Sequence, residues 1–287
     1  MTIAVEGSRL DGMTGIGLGT AQFAFRDGTR GRSVATVVSA LAAGVRLIDT
    51  ALAYTRPGET SWAESVVRDA LRDYGPHDEV VVATKGGHWR EGDAFPIDGR
   101  EQTLRANCEV SLRTLGVESL DLYQLHHVDP AVPLEESVAA LDALRREGKI
   151  REIGLSNVSI DQLERARAIT SVSSVQNRFS ALRFEDLPMV RHCESQGIRY
   201  LAYLPLDGPG AEPVSDDPRR AMAEASGVSV QLLTLSWMQQ LSTAIIPLVG
   251  ASRPATILDS ARSAHWRLAA EDVATITRAA GAASVAV

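Results

Sequence analysis

Residues 44–54 of this chain read GVRLIDTALAY, a short apolar run that ends in an aspartate and is followed by a tyrosine. Two later stretches share this design, an apolar run that ends in polar residues: DEVVVATKGG (78–87) and ESLDLYQLHH (118–127). Each run predicts a buried β-strand. Four side chains that can take part in acid–base chemistry lie at or just beyond the strand ends: Asp49, Tyr54, Lys85 and His126. They can meet only if the strands are parallel neighbours.

The same rhythm continues along the whole chain. Amphipathic helical patterns separate eight apolar runs: 15–20, 45–50, 79–84, 120–125, 151–156, 172–176, 198–203 and 243–249. Parallel strands need crossovers of this length, and eight such units can close on themselves, which removes both sheet edges. The pattern predicts an α/β fold, a (β/α)8 TIM barrel, as one domain over residues 1–287. We expect a short hairpin at Val5 to Met13, with Asp11-Gly12 as its turn, to close the bottom, and an extra C-terminal helix over 271–280.

Several helix boundaries can be predicted from local chemistry. Ser33 is expected to cap the first long helix and Gly44 to end it. Gly148 should end the helix of PLEESVAALDALRREG (133–148). SIDQ (159–162) has the pattern of a capping box that opens the next helix.

The alternative architecture is an open doubly wound sheet, which would need a G-x-G-x-x-G turn after its first strand. GIGLGT (15–20) supplies three glycines, but none follows at the required place and no helix is expected to open there. We interpret these glycines as close packing at a barrel strand.

Composition excludes several classes of protein. The chain has 287 residues, 45% hydrophobic and 23% charged, with a net charge of −7 and no basic stripe. Nucleic acid is therefore not an expected partner. MTIAVEGSRL (1–10) lacks the layout of a signal peptide, and no apolar run approaches membrane-spanning length, so we expect a cytoplasmic protein and, by default, a monomer. Cys108 and Cys193 lack metal spacing, no metal is expected, and both are interpreted as free buried thiols rather than a disulfide.

Taken in order along the chain, these strand ends resemble the aldo-keto reductases. The resemblance runs from about Gly15 to Ala270. Its most specific motifs are GVRLIDTALAY (44–54), ATKG (83–86), DLYQLH (121–126), GKIREIGLSN (148–157), SVQN (174–177) and IPLVGAS (246–252). It implies reduction of a carbonyl compound with NADPH as the cofactor.

The resemblance gives the four strand-end residues complementary roles. Tyr54 would protonate the carbonyl oxygen, and a neighbouring Lys85 ammonium would lower the phenol's pKa from about 10. Asp49 would pair with Lys85 and fix it, while His126 would donate a hydrogen bond to the same oxygen. Any one of them alone would fit an ordinary ion pair or packing residue. All four together favour catalysis.

The resemblance also assigns a cofactor site. Ser156, Asn157 and Gln176 match the groups that hold the nicotinamide carboxamide, and Tyr203 matches the aromatic ring that stacks on the nicotinamide. Gly250-Ala251-Ser252-Arg253-Pro254 opens a helix after the last strand, and a helix N-terminus with free N–H groups suits an anion. There Arg253 and Ser252 could bind a ribose 2′-phosphate. The remaining expected cofactor contacts are Gly19, Thr20, Asp49, Pro205, Leu206, Gly208, Gly250 and Asp259.

The substrate side is less specific. If the loops follow the family, the mouth of the barrel is lined by Phe23, Phe25, Tyr54, Trp89 and His126. His127 either points toward the rim or joins this lining. Two departures from the family pattern stand out. Ser260 is short for a contact with adenine, and the segment after Leu206 is too compact for a long clamp over the dinucleotide.

Two other functions remain open from the residues alone. A Schiff-base aldolase or isomerase could use Lys85 to attack a carbonyl, but Gln176 and Arg253 would then be unexplained. A non-catalytic aldo-keto-reductase-like subunit could sense NADPH and bind a partner.

Overall fold

The chain folds as a closed barrel of eight parallel strands. The structure, a computed structural model, describes residues 7–26, 28–208 and 217–285. Neighbours in sequence are neighbours in the barrel, and β1 also pairs with β8. The strands are β1 (Gly17–Gly19), β2 (Leu47–Asp49), β3 (Val81–Gly86), β4 (Leu120–Leu125), β5 (Ile150–Ser156), β6 (Ser174–Arg178), β7 (Arg199–Tyr203) and β8 (Ile245–Gly250). Each overlaps one of the eight apolar runs, so the predicted (β/α)8 barrel is confirmed.

Helices connect successive strands around the barrel. They are α1 (Ala21–Phe25), α2 (Arg30–Ala42), α3 (Trp62–Tyr74), α4 (Glu101–Leu115), α5 (Leu134–Arg146), α6 (Ile160–Arg167), α7 (Leu187–Gln196), α8 (Pro218–Ser226), α9 (Val230–Leu241), α10 (Pro254–Ala261) and α11 (Ala270–Val285), with a 3-10 turn at Arg262–His265. The extra C-terminal helix is thus α11, as predicted.

The start of the chain differs from prediction in two ways. We expected no helix after β1, yet α1 begins there, although it has only five residues. The interpretation of close packing at β1 is confirmed for Gly17, because a Cβ there would lie 2.7 Å from a side-chain carbon of Leu248. The hairpin predicted at Val5 to Met13 lies partly outside the described residues, and 7–13 form turns rather than a strand.

The barrel is nevertheless filled from below. Leu10, fully buried, belongs to an interior cluster made of inward-facing strand residues: Leu47, Val81, Ala83, Leu122, Leu201, Ile246 and Leu248. A second, larger apolar cluster lies between the strands and the surrounding helices. This packing makes the barrel a solid core, so a site built from strand ends lies above it, at the carboxyl ends of the strands.

Helix boundaries follow the predicted chemistry with one exception. Ser33 does not cap α2. The helix begins at Arg30 because Thr29 accepts the cap hydrogen bond from the Arg32 amide. The capping box of Ser159 and Gln162 is confirmed, with both of its reciprocal hydrogen bonds present.

The segment after β7 contains a helix, α8, which the sequence pattern did not predict. Most of the compact DGPGAEP stretch (207–213), expected not to form a clamp, lies outside the described residues. Cys108 and Cys193 are both buried free thiols, as predicted. No helix in the described ranges is both long and apolar enough to cross a membrane.

Candidate active site

A cavity of about 250 Å³ opens at the carboxyl ends of the strands. Residues from seven of the eight strands, or from the positions directly after them, contribute to its wall. Its lining contains Gly19, Ala21, Gln22, Asp49, Tyr54, His126, His127, Ser156, Asn157, Gln176, Tyr203, Leu204, Leu248 and Gly250. Strand-end residues that are far apart in the sequence therefore meet at one mouth, as the barrel topology requires.

The floor of the cavity contains a buried ion pair. The Lys85 ammonium lies 2.8 and 2.9 Å from the two Asp49 carboxylate oxygens and donates a further 2.8 Å hydrogen bond to the Thr50 carbonyl. It also lies 3.3 Å from the Tyr54 hydroxyl. Lys85 has no exposed surface at all. Three acceptors and the phenol therefore fix its position completely.

Burial decides the protonation states around this pair. Desolvation lowers the pKa of Lys85, but the Asp49 carboxylate and Tyr54 outweigh it, so the net shift is upward and the ammonium stays charged. For Tyr54, burial raises the pKa and the Lys85 ammonium opposes it only in part. The lowering by Lys85 that we expected is therefore present, but burial dominates and the net shift of the Tyr54 pKa is upward. Tyr54 is therefore a protonated phenol at neutral pH.

His126 completes the group. Its ring meets the Tyr54 ring edge-on with centroids 5.8 Å apart. Burial, followed by the nearby Lys85 charge, holds the pKa of His126 well below its usual range, so the ring is neutral. Its Nδ1 is buried and has no hydrogen-bond partner among the residues that the structure describes. The remaining nitrogen, Nε2, is the one that can serve the cavity.

His127 also lines the cavity, which is one of the two positions that the sequence left open for it. Adjacent residues point in opposite directions only within a strand, and β4 ends at Leu125. Beyond that point the His126 and His127 rings stack, with centroids 5.0 Å apart and planes 13° apart.

A group of polar side chains forms the opposite wall. The Gln176 amide nitrogen donates to Asp49 at 2.8 Å, so this residue touches the buried ion pair directly. The Asn157 amide nitrogen lies within reach of Ser156 Oγ, the His126 carbonyl and His127, while its oxygen accepts from the Tyr203 hydroxyl at 2.8 Å. Asn157 is thus occupied within the protein. Ser156 keeps its own hydroxyl proton, and Gln176 keeps its amide oxygen.

The first and last strands bring backbone close to the cavity. Gly19 pairs in register with both Asp49 and Gly250. The Thr20 hydroxyl donates to the Asp49 carbonyl at 3.0 Å, so Thr20 supports β2 rather than lining the cavity. A Cβ on Gly250 would meet the Gln22 side chain at 3.1 Å, which explains the glycine at this point.

The turn after β7 has an unusual backbone. Leu204 and Asp207 have left-handed φ angles of 51° and 63°, and Gly208 has 78°. Leu204 lines the cavity, whereas Pro205, Leu206 and Gly208 lie beyond its wall. The side chain of Ser180 donates to Asp207 and holds the turn.

Helix α10 begins as the sequence predicts. Arg253 is its N-cap and Pro254 its first residue. Arg253 is exposed and makes no ion pair with any residue in the described ranges, and Ser252 is half-buried beside it. Asp259, in contrast, accepts a 2.6 Å hydrogen bond from Ser229. Ser260, at 2% exposure, belongs to the core, so neither residue is a free side chain.

The aromatic side of the mouth differs from the prediction. Phe25 is half exposed and meets the Tyr54 ring edge-on at 6.1 Å, although it does not line the cavity. Phe23 is 2% exposed and packs into the core instead, because the short α1 turns it inward. Trp89 was also wrongly placed, since it lines a separate cleft of about 660 Å³ beside α4.

Two residues that were not predicted from the sequence contact the rings beside this mouth, although neither lines the cavity itself. His88 and Phe95 come from the loop after β3, and their rings stack with centroids 5.7 Å apart. Phe95 also contacts Phe25 at 6.0 Å, and His88 contacts His126 at 4.9 Å. His88 lies only three residues beyond Lys85, so its place near the site could have been predicted from the sequence. The place of Phe95 could not, because it depends on the folding of the loop.

A larger cleft of about 890 Å³ lies at the other end of the barrel, around Arg9, Asp78 and Asp121. It contains none of the predicted site residues. Its size alone does not make it the reactive centre, since the acid–base groups of the strand ends all lie at the opposite mouth.

Comparison with known proteins agrees with this geometry. The Aldo/keto reductase family matches residues 15–280. An uncharacterized oxidoreductase of Schizosaccharomyces pombe is 32% identical over 79% of this chain and 72% of its own length. The aldo-keto reductase YhdN of Bacillus subtilis is 29% identical over 84% of this chain and 81% of its own. The crystal structure of an aldo/keto reductase from Klebsiella pneumoniae in complex with NADP and acetate is 28% identical, covers 92% of this chain and 90% of that chain, and superposes with a TM-score of 0.77. The chain belongs to the aldo/keto reductase family.

Proposed function

We propose that this protein reduces an aldehyde or ketone to an alcohol with NADPH, and that Tyr54 is the general acid. The observation that carries the proposal is the fully buried Lys85, bonded to Asp49 and to the Tyr54 hydroxyl beside a neutral His126. A lysine with no exposed surface and these partners is placed to stabilise negative charge on the Tyr54 oxygen.

Four side chains of the protein have separate roles in the reduction of the carbonyl group. NADPH, when bound, supplies a hydride to the carbonyl carbon. As the carbonyl π electrons move to oxygen, Tyr54 gives its hydroxyl proton to that oxygen, and the Lys85 ammonium stabilises the phenolate left behind. His126 donates from Nε2 to the same oxygen and orients the substrate. Asp49 keeps Lys85 in place.

The donor set of the opposite wall fits a carboxamide. A carboxamide offers N–H donors and one carbonyl acceptor. The free Gln176 oxygen can accept from it and the Ser156 hydroxyl can donate to it, whereas Asn157 would act by holding Tyr203 in place for ring stacking. The Klebsiella pneumoniae relative that binds NADP supports the choice of cofactor. The rest of the dinucleotide would extend toward α10 along Gly19, Gly250 and the turn of Pro205, Leu206 and Gly208.

The structure disfavours the aldolase alternative. A Schiff-base lysine needs a neutral amine that can reach a carbonyl. Lys85 is charged, unexposed and bonded to three acceptors. The direct test of the proposed function is the consumption of NADPH absorbance with a panel of aldehydes and ketones. Borohydride trapping of a substrate on Lys85 would overturn it in favour of the aldolase.

The pH dependence follows from the directions of the pKa shifts. Reduction needs protonated Tyr54, whose pKa is raised by burial above its usual value of about 10. It also needs neutral His126, whose pKa is lowered by burial. We therefore expect kcat for reduction to stay flat from about pH 7 to 9 and to fall only above about pH 10. Alcohol oxidation, which needs the phenolate as base, should rise over the same range. An alkaline limb for reduction near pH 8, measured under saturating substrates, would contradict these assignments.

Arg253 should determine cofactor preference. A charge-assisted hydrogen bond to a 2′-phosphate contributes about 1.5–3 kcal/mol, so Arg253→Ala should weaken NADPH binding by about tenfold to a hundredfold and leave NADH nearly unchanged. Fluorescence titration with both cofactors measures this. Arg267→Ala, at another exposed arginine, is the matched control. An equal loss for both cofactors would show that Arg253 supports the fold instead.

A further inference from the structure

The carboxyl group of Glu64 is buried and has no part in the proposed proton transfer. Glu64 lies in the first turn of α3 and is fully buried, although it does not line the cavity. Burial raises the pKa of Glu64, while the hydroxyl groups of Ser61 and Thr84 oppose this shift by donating hydrogen bonds. Burying a carboxyl group costs free energy that an apolar side chain of similar size would not cost. The contribution of Glu64 must therefore come from what its two hydrogen bonds hold in place.

The first hydrogen bond joins Glu64 to the strand that carries Lys85. Thr84 Oγ1 donates to Glu64 Oε1 at 2.5 Å. Thr84 and Lys85 are consecutive residues of β3, so their side chains project from opposite faces of the strand. Lys85 points into the barrel, where it bonds to Asp49, and Thr84 points toward α3. Glu64 therefore holds β3 from behind, at the position next to Lys85.

The second hydrogen bond joins Glu64 to the turn before α3. The Ser61 hydroxyl donates to Glu64 Oε2. Ser61 is buried and has a left-handed backbone with a φ of 54°, a region that residues with a side chain rarely occupy. A serine before a helix usually caps a backbone amide, but the Ser61 side chain makes no such bond. A backbone of this kind persists only where its surroundings hold it, and Glu64 contributes to that hold through the hydroxyl.

The start of α3 also fixes the segment that carries Tyr54. The Ala63 amide donates to the Tyr54 carbonyl oxygen at 3.0 Å, and the Trp62 amide donates to Thr55 Oγ1 at 3.2 Å. Both amides belong to the first turn of the helix, where amides have no partner inside the helix itself. The position of Tyr54 above the barrel therefore depends on where α3 begins.

We propose that Glu64 is a positioning residue, which sets the separation between the Tyr54 hydroxyl and the Lys85 ammonium from behind β3. These two groups lie on different elements, and their oxygen–nitrogen distance is 3.3 Å. Glu64 holds the start of α3 through Ser61 and holds β3 through Thr84. A displacement of about 1 Å at a reacting group can lower a rate about a hundredfold, so this link bears on kcat. The inference rests on the proposed function, since it assigns the proton transfer to Tyr54.

Three substitutions test the link. Glu64→Met removes both hydrogen bonds at similar volume, and we expect it to lower kcat for carbonyl reduction by about tenfold to a hundredfold with little change in NADPH affinity. Glu64→Gln can accept from one hydroxyl and donate to the other, so it should keep kcat within about threefold of wild type. Thr84→Val removes only the bond to β3 and keeps a β-branched strand residue, so it should fold even if Glu64→Met does not. It should show a smaller loss in the same direction.

The pH profile separates a positioning role from a purely structural one. Burial raises the pKa of Tyr54, and the Lys85 ammonium opposes this by its charge and its hydrogen bond. If the two groups move apart, the pKa of Tyr54 rises further. The alkaline limb of reduction should therefore move to higher pH in Glu64→Met and Thr84→Val. A loss of stability alone would lower the free energy of unfolding and leave this limb in place.

Thr170→Val is the matched control, because the Thr170 hydroxyl is also fully buried and donates to another buried carboxylate, that of Asp142, at 2.7 Å away from the cavity. It should change neither kcat nor the pH profile. Crystal structures of the wild type and of Thr84→Val give the separation of Tyr54 and Lys85 without any turnover, and we expect it to lengthen in the variant.

Two results would overturn the inference and leave the proposed function intact. One is an unchanged kcat and an unchanged separation in Thr84→Val. The other is a fall in kcat in Thr84→Val or Glu64→Met without a shift of the alkaline limb. Failure of the wild-type protein to reduce any carbonyl compound would instead remove the proposed function, and the separation in the crystal structures would still decide whether Glu64 sets the position of the two groups.

Discussion

Tyr54→Phe should lower kcat for carbonyl reduction by at least about a hundredfold, since a positioned general acid contributes about 10²–10⁴-fold. The loss should be in kcat because the proton moves only in the transition state. NADPH affinity should change little, since no cofactor-wall residue bonds to the Tyr54 hydroxyl, whose hydrogen-bond partner is Lys85. Steady-state kinetics and fluorescence titration give the two quantities separately.

Tyr74→Phe provides the control for this change. Tyr74 ends α3, well outside the cavity lining, so its loss of a hydroxyl should leave kcat within about twofold of wild type, as for most surface changes. If Tyr54→Phe retained more than a tenth of the wild-type kcat, Tyr54 would not be the acid, and the nearby histidines would be the next candidates.

The barrel could be predicted from the sequence because its signals are local and repeated. Each strand is a short apolar run, each helix has its own periodicity, and the number of units determines closure. What failed were features that depend on context. The pattern at Ser33 resembled a helix cap, but Thr29 takes that role because the helix extends one turn further back. Helix α8 was missed because it follows a stretch rich in proline and glycine.

The candidate active site could be predicted to a similar degree and for a related reason. Asp49 and Lys85 lie at the carboxyl ends of their strands and His126 directly follows its strand, so the barrel alone brings them together. Loop residues have no such constraint. Trp89 and His88 are neighbours in one loop, yet Trp89 lines another cleft and the His88 ring contacts that of His126. That difference arises from the folding of the loop, through the contact between His88 and Pro96.

The direction of the Tyr54 pKa shift could not be predicted from the residue types alone. A lysine beside a tyrosine suggests a lowered phenol pKa. The actual balance depends on how much water is excluded, and at Tyr54 burial outweighs the Lys85 charge. The result suits the reducing direction, because a phenol that stays protonated across neutral pH is always ready to donate.

Single substitutions in the buried ion pair should also destabilise the folded protein strongly. Lys85→Met removes the ammonium and leaves the Asp49 carboxylate buried, with Gln176 as its nearest remaining donor. Breaking a buried pair in this way lowers the free energy of unfolding by about 3–5 kcal/mol. Asp49→Asn should lower the free energy of unfolding by a comparable amount, because it leaves a fully buried ammonium without its carboxylate partner. Urea unfolding followed by both tryptophan fluorescence and circular dichroism measures the change.

The double variant Asp49→Asn/Lys85→Met measures how much of each single loss comes from the interaction between the two residues. It leaves no uncompensated buried charge, so its loss should be smaller than the sum of the two single losses by about 2–3 kcal/mol, near the top of the usual coupling range. Lys149→Met, at the half-exposed pair with Glu109, should cost no more than about 1 kcal/mol. Additive losses in the double variant would mean that Asp49 and Lys85 do not depend on each other, and Lys85 would then lack the fixed position that the proton transfer from Tyr54 requires.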